Sequence, residues 1–164
     1  MKGKEHLSIF GIGPAYAALS ALMTGSVCLL DFLAEIPHWS FPISTPVMKI
    51  CSVLLLIPAA CLWLNVLMGQ RIAQRIQKNE LVTTGAYAWV RNPIYTAIML
   101  IMWALLLWTG NLLFLFLFPI YPLLMMVMLK PTEEKWLTEL YGQKYRDYCK
   151  QVNRCISWFP KRKK

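Results

Sequence analysis

Two short stretches carry most of the polar chemistry of an otherwise apolar chain. The first, LVTTGAYAWVRNPIY at 81–95, crowds Gly85, Tyr87, Arg91, Asn92, Pro93 and Tyr95 just ahead of an apolar run. The second, PTEEKWLTELYGQKYRDYCKQV at 131–152, opens on Glu133 and Glu134. Together they supply phenols, a guanidinium, an amide and carboxylates, which hold polar ligands through charge-assisted hydrogen bonds and ring contacts. Each residue also has a local structural role. Asn92 suits an N-cap with Pro93 at the first helical position, and Gly85 suits a turn with positive φ. Tyr87, Trp89 and Arg91 suit an interfacial belt. Thr132 suits an N-cap whose first turn holds the acidic pair, where the helix dipole favours anions. Local structure accounts for each residue singly and leaves their combination unexplained.

The elements that must position them are membrane helices. The 164 residues are 57% hydrophobic and 15% charged, outside the usual range of a soluble domain. A bilayer core needs about 20 apolar residues per helix, and four segments are expected, at 9–32, 46–68, 93–108 and 111–129. The third holds only about 16 residues, or about 24 Å, short for a square crossing and suited to one arm of a tight hairpin with the fourth. Thr109 and Gly110 are the break between the two arms. The fold class is therefore all-α: an integral membrane protein with about four transmembrane helices and a cytoplasmic C-terminal amphipathic helix. In that tail Trp136, Leu137, Leu140, Tyr141, Tyr145, Tyr148 and Val152 recur mostly at spacings of three and four, the pattern of one apolar helix face. With no internal repeat, 1–164 is read as a single domain: N-terminal spans over 9–68, then loop, hairpin and tail over 69–164.

Charge sets the expected orientation. Of the seventeen Lys and Arg, Lys49 alone falls on the far side of these spans. The positive-inside rule then places both termini and the loop 69–92 in the cytoplasm. The net charge of +9 reads as topology and attraction to anionic headgroups; no basic stripe with interleaved aromatics points to nucleic acid. The five cysteines show no metal-ligand spacing, and His6 and His38 fall on opposite sides of the membrane, so no metal site is expected.

Because the hairpin folds back tightly, the segment entering it and the segment leaving it emerge together on one side. Tyr87, Arg91, Asn92 and Tyr95 on entry would then meet Glu133 and Glu134 on exit, beneath a tail helix folding back over the space between. Such a cavity suits a polar cofactor meeting a lipidic substrate.

These residues carry a resemblance. LVTTGAYAWVRNPIY, followed about 38 residues on by the acidic pair and then by LYGQKYRDY, resembles the membrane methyltransferases that include isoprenylcysteine carboxyl methyltransferases and phospholipid N-methyltransferases. The resemblance covers about 80–160, roughly half the chain, while the first two spans are alike only in being apolar. It departs from the family pattern at Asn92, where the family usually has histidine; asparagine hydrogen bonds in both senses but does not titrate. The resemblance implies S-adenosylmethionine as cofactor, with contacts from Leu81, Val82, Gly85, Tyr87, Asn92, Pro93, Tyr95 and Glu133, and catalytic roles for Arg91, Asn92 and Glu134. The family arginine before the acidic pair has no counterpart beyond nearby Lys130, which weakens the case for a carboxylate acceptor.

Methyl transfer from a sulfonium needs alignment and desolvation more than acid–base chemistry. The expected acceptor is lipidic or a small hydrophobic molecule: a prenylated cysteine carboxylate, a phospholipid amine or a thiol. A lateral route past Pro119 and Pro122 in the fourth span is a further expectation, since proline frees backbone carbonyls and bends membrane helices. Two other functions compete. Membrane sterol reductases resemble the same hairpin and use a nicotinamide cofactor, but no G-x-G-x-x-G fingerprint is present and they normally have more spans. The other is a small non-enzymatic membrane protein.

Overall fold

The computed structural model describes residues 11–34, 36–41, 43–68 and 80–155. Regular structure among them is helical, and extended pairing is confined to one isolated parallel bridge between Val90 and Asn153. Helix α1 spans Gly13–Phe32 and α2 spans Ser44–Met68. A 3-10 turn, Gly85–Ala88, leads to α3 at Pro93–Thr109. A second 3-10 segment, Leu112–Leu117, runs into α4 at Ile120–Leu129, and α5 (Glu133–Tyr141) and α6 (Gln143–Gln151) complete the order.

Three stretches are long and apolar enough to cross a bilayer: Gly13–Phe32, Ser44–Met68 and Leu112–Leu129. The remaining apolar helix, Pro93–Thr109, is 17 residues, about 25 Å. It is nevertheless the central helix, packed mainly on α2 and α1 and burying Tyr95, Ala97, Ile98, Met99 and Leu106. The outer faces of α1 and α2 expose large apolar side chains such as Leu22, Ile50 and Leu67. That surface is stable in lipid and unstable in water. Arg71, Arg75 and Lys78, on which the expected orientation partly rests, lie outside the described residues.

Small polar side chains join the helices where hydrocarbon offers no competing partner. Tyr16, Ser20 and Thr24 form the buried stripe of α1. The Thr24 hydroxyl donates to the Ser20 carbonyl at 2.8 Å and meets the Tyr121 hydroxyl of α4 at 2.6 Å. Ser52 of α2 donates to the Ala104 carbonyl of α3 at 2.7 Å.

The hairpin turn falls where the sequence places it. Gly110 ends α3 in the left-handed conformation, φ 78°, and a Cβ there would lie 2.9 Å from Thr45 Cγ2. Asn111, fully buried, uses all its amide capacity. Its oxygen accepts from the backbone of Trp39 and Leu113, and its nitrogen donates to Asp31 at 2.8 Å and to the Pro37 carbonyl.

The proline break in the fourth apolar segment is covered. Pro122 has no N–H, so the Phe118 carbonyl lacks its helical donor. Trp103 of α3 supplies one from its indole nitrogen at 3.1 Å, with its ring stacked on Phe118 at 4.8 Å. The freed carbonyl thus meets an aromatic side chain from the neighbouring helix. Trp103→Phe should keep the stacking, orphan the carbonyl and cost about 1–2 kcal/mol. Thermal unfolding in detergent checks this, and an unchanged melting temperature would refute it.

In place of one continuous tail helix there are two, broken at Gly142, which takes φ 55°. The spacing of tail aromatics continues through the break and hides it. The consequence is positional, because α5 and α6 present their apolar faces to the same hollow.

Candidate functional site

That hollow lies where the hairpin enters and leaves. Its volume is about 1020 Å³ counted out to its open mouth. One wall is the incoming segment, with Leu81, Val82, Tyr87, Arg91, Asn92, Pro93 and Tyr95. The opposite wall is α5, with Glu133, Trp136, Leu137 and Tyr141; α6 adds Tyr145 and Tyr148. Of the residues expected at the site, Gly85 and Glu134 alone are absent from this lining. Tyr87 and Glu133, far apart in sequence, share it. Gly85 does adopt positive φ, 64°, but it borders a second hollow behind the turn.

Three local expectations change. Asn92 stands at the N-cap of α3, yet its side chain makes no cap bond; instead its carbonyl accepts from the Thr96 hydroxyl at 2.9 Å. Thr132 stands at the N-cap of α5 without a side-chain cap bond, and its hydroxyl donates to the Met128 carbonyl at 2.6 Å. The acidic pair occupies the first turn of α5, but both carboxylates serve distant elements.

Glu133 reaches across to α1. Its Oε1 accepts from the backbone N–H of Ile12 at 2.9 Å and from the Tyr95 hydroxyl. Ile12 is the N-cap of α1, so the carboxylate sits at the positive end of that helix dipole. Tyr95 also packs against Tyr16 of α1, ring centroids 5.4 Å apart. The Glu133 charge is felt by Tyr87, whose phenol is pushed above its ordinary range, first by burial and then by that charge.

Glu134 turns the other way. Arg154 grips it through two bonds, Nε to Oε1 and Nη2 to Oε2, both 2.7 Å. Arg91 Nη1 approaches Oε1 at 3.3 Å and also donates to Cys149 Sγ at 2.7 Å. The Glu134 bonds push the Arg154 guanidinium above its already high range, against the opposing effect of burial. Backbone stitches run alongside: Arg91 N–H to Asn153 O at 2.9 Å, and Asn92 N–H to Arg154 O at 3.2 Å. The Tyr148 hydroxyl donates to the Tyr87 carbonyl at 2.6 Å. Turn, α5, α6 and the residues after α6 thus form one locked unit.

Two buried donors are left over. Arg91 Nε and Asn92 Nδ2 have no hydrogen-bond partner among the described residues, and both residues border the cavity. A buried orphan donor costs about 1–3 kcal/mol, so two of them beside one hollow can serve an acceptor-bearing ligand. The Glu133 carboxylate lines the same cavity, with Tyr87, Trp136, Tyr141 and Tyr145. Burial pushes the Tyr145 and Tyr148 phenols upward.

Residues that local pattern did not reveal as part of the site are Gly11, Ile12 and Arg154. Gly11 borders the cavity, and a Cβ there would fall 2.0 Å from Glu133 Oε1. Two adjacent carboxylates at a membrane edge were the available signal, since a carboxylate drawn away from water demands a donor from elsewhere.

A helical membrane protein with a polar, aromatic-walled cleft at the open end of a hairpin is the class these features define. The family model for phospholipid methyltransferase matches residues 52–144, more than half of the chain, and the chain belongs to that family of membrane methyltransferases. The match begins inside α2, so the likeness reaches further toward the N-terminus than the 81–152 motifs alone indicate. Neither the curated proteins nor the solved structures yield a match. Gly11 and Ile12 precede the matched stretch and Arg154 follows it, so this chain completes its cleft with residues from outside the matched region.

Proposed function

We propose that this protein transfers a methyl group from S-adenosylmethionine to a lipidic or small hydrophobic acceptor at the cytoplasmic face of the membrane. The observation that carries the proposal is the pairing, across one aromatic-walled cavity, of orphan donors on Arg91 and Asn92 with the Glu133 carboxylate. A methionyl moiety needs both: donors for its carboxylate, and an acceptor for its ammonium or for the ribose hydroxyls. Asn92 meets the first need without titrating, so asparagine serves in the place the family usually gives to histidine. Leu81, Val82 and Pro93 give apolar surface for the nucleoside, and the rings of Tyr87 and Tyr95 favour a nearby cation.

The bound cofactor supplies an activated methyl group with a neutral leaving group. The protein's own residues align and exclude water: Glu133 is fixed by Ile12 and Tyr95, Arg91 by Glu134, and the Tyr87 backbone by Tyr148. Gly85 acts by shaping the turn and Glu134 by orienting Arg91, so their part in catalysis is through positioning. The cytoplasmic assignment is supported by the one-sided basic residues.

Calorimetry on detergent-purified protein tests the proposal. S-adenosylhomocysteine should bind, and NADPH should not. Glu133→Gln keeps an oxygen for the Ile12 N–H but loses the charge, and should weaken binding about tenfold, roughly 1.4 kcal/mol. Tyr87→Phe, which retains the backbone bond to Tyr148, separates ring from hydroxyl. Binding of NADPH alone would favour a reductase, and binding of neither would favour a non-enzymatic protein. Mass spectrometry of lipid extracts incubated with a methyl-labelled cofactor identifies the acceptor.

A further inference from the structure

Helices α5 and α6 wall the same cavity, yet they are fastened in different ways. α5 is tied to the membrane bundle, because Glu133 accepts from the Ile12 N–H at 2.9 Å and from the Tyr95 hydroxyl of α3. The bonds that tie the α6 segment to other parts of the chain are made from Tyr148 onward. Tyr148 donates to the Tyr87 carbonyl at 2.6 Å. The carbonyls of Asn153 and Arg154 then accept from the backbone N–H groups of Arg91 and Asn92, and the Arg154 guanidinium closes on Glu134. At its other end α6 hangs on a single residue.

That residue, Gly142, is at once the C-cap of α5 and the N-cap of α6. Its N–H donates to the Thr138 carbonyl at 2.9 Å, and its carbonyl accepts from the Arg146 N–H at 3.3 Å. Its φ of 55° and ψ of −124° are angles that glycine alone adopts readily. Among the described residues, nothing beyond its chain neighbours lies within 4 Å of where a Cβ would stand. A joint with permissive torsions and no packing around it can serve as a hinge. The faces of α6 suit such a motion. Lys144, Arg146 and Lys150 are exposed and stay in water whether α6 is docked or swung out. On the inner face Tyr145 and Tyr148 are buried, and phenol rings are at home where a membrane surface meets water.

We propose that α6 is a hinged lid on the polar cavity, pivoting at Gly142 and latched at residues 153–154, and that it opens to admit and release the cofactor. The latch and the donors beside the cavity belong to the same two residues. Arg91 and Asn92 give their backbone N–H groups to the latch and carry the orphan side-chain donors. A ligand that engages those side chains therefore holds the latch shut. Occupancy and closure reinforce each other, since a ligand favours the state it binds better. The gating role rests on S-adenosylmethionine as the ligand of this cavity; the hinge rests on the geometry of the chain alone.

Hydrogen exchange read by mass spectrometry, on the whole protein in detergent, tests both parts. Without ligand, segments 143–155 and 87–93 should exchange together and faster than 133–141, because opening breaks the latch and leaves α5 on the bundle. Arg154→Lys loses the two-pronged grip on Glu134, and Tyr148→Phe keeps the ring but loses the bond to Tyr87. Each should speed exchange in the first two segments about tenfold while 133–141 is unchanged, and either variant suffices if the other fails to fold. S-adenosylhomocysteine at about ten times its dissociation constant should slow the same two segments about tenfold, and both variants should release it faster in stopped flow. If 143–155 exchanges no faster than 133–141, or the variants speed all three segments alike, there is no hinge at Gly142. Binding that leaves exchange of 143–155 unaltered overturns the gate and spares the cofactor assignment. Latch-dependent exchange in protein that binds no S-adenosylhomocysteine supports the hinge and refutes the cofactor assignment alone.

Discussion

Replacing Glu134 by alanine is expected to lower stability by about 3 kcal/mol, the low end of the range for removing one partner from a buried ion pair. The side chains of Glu134 and Arg91 are 13% and 12% exposed, and that of Arg154 is 23% exposed. Truncation leaves two guanidinium groups partly buried without their counter-charge, and the residual exposure of Arg154 keeps the loss from being larger. Arg154→Ala should cost less, because Glu134 retains Arg91. The contrasting control is Lys150→Ala, which removes a pair whose side chains are 72% and 50% exposed and should leave stability nearly unchanged, since water and salt screen exposed pairs. Thermal unfolding in detergent ranks all three. A Glu134→Ala protein that melts like Lys150→Ala would show that the segment after α6 is not held by this network. The locking role also explains why Glu134 lies behind the cleft wall and not on it.

What the sequence conveyed about this arrangement was mostly periodic or local. Long apolar runs locate α1, α2 and the hairpin, since lipid solvation leaves few other outcomes. Thr109 and Gly110 mark the turn because only glycine accepts its backbone angles readily. The meeting of Tyr87 and Glu133 in one hollow follows from the hairpin alone: a tight reversal returns the chain to the side it left.

What escaped sequence reading involves partners chosen in three dimensions. The first turn of α5 accounts for two acidic residues through their own helix dipole, and nothing local reveals that Glu133 serves α1, 121 residues away. Arg154 is one of ten basic residues from Lys130 onward, and composition does not single it out. Gly142 breaks the tail although the apolar spacing continues across it, because periodicity reports facing and not continuity. Pro119 and Pro122 signal a freed carbonyl correctly; that Trp103, on another helix, covers it is a tertiary fact.

Gly11→Ala should have an effect comparable to that of Glu134→Ala, and it should act on the cleft as well as on the fold. Gly11 adopts φ 51°, which costs an L-residue about 1–2 kcal/mol. The added Cβ would also sit 2.0 Å from Glu133 Oε1, so the carboxylate must leave the Ile12 N–H and Tyr95. Losing a charge-assisted hydrogen bond adds about 1.5–3 kcal/mol, giving a total near 3 kcal/mol or more. Gly85→Ala is the matched comparison: its φ is similarly positive, 64°, but among the described residues nothing beyond its own chain neighbours lies within 4 Å of the new Cβ, so the conformational term of about 1–2 kcal/mol stands alone. The two variants therefore separate backbone strain from displacement of Glu133. Gly11→Ala should also weaken S-adenosylhomocysteine binding, because the carboxylate that shares the cavity with Arg91 and Asn92 would no longer be fixed, whereas Gly85→Ala should leave that affinity nearly unchanged. If the two alanine variants lose equal stability and bind equally well, Glu133 does not depend on the start of α1, and the cleft is completed without the residues that precede the matched family region.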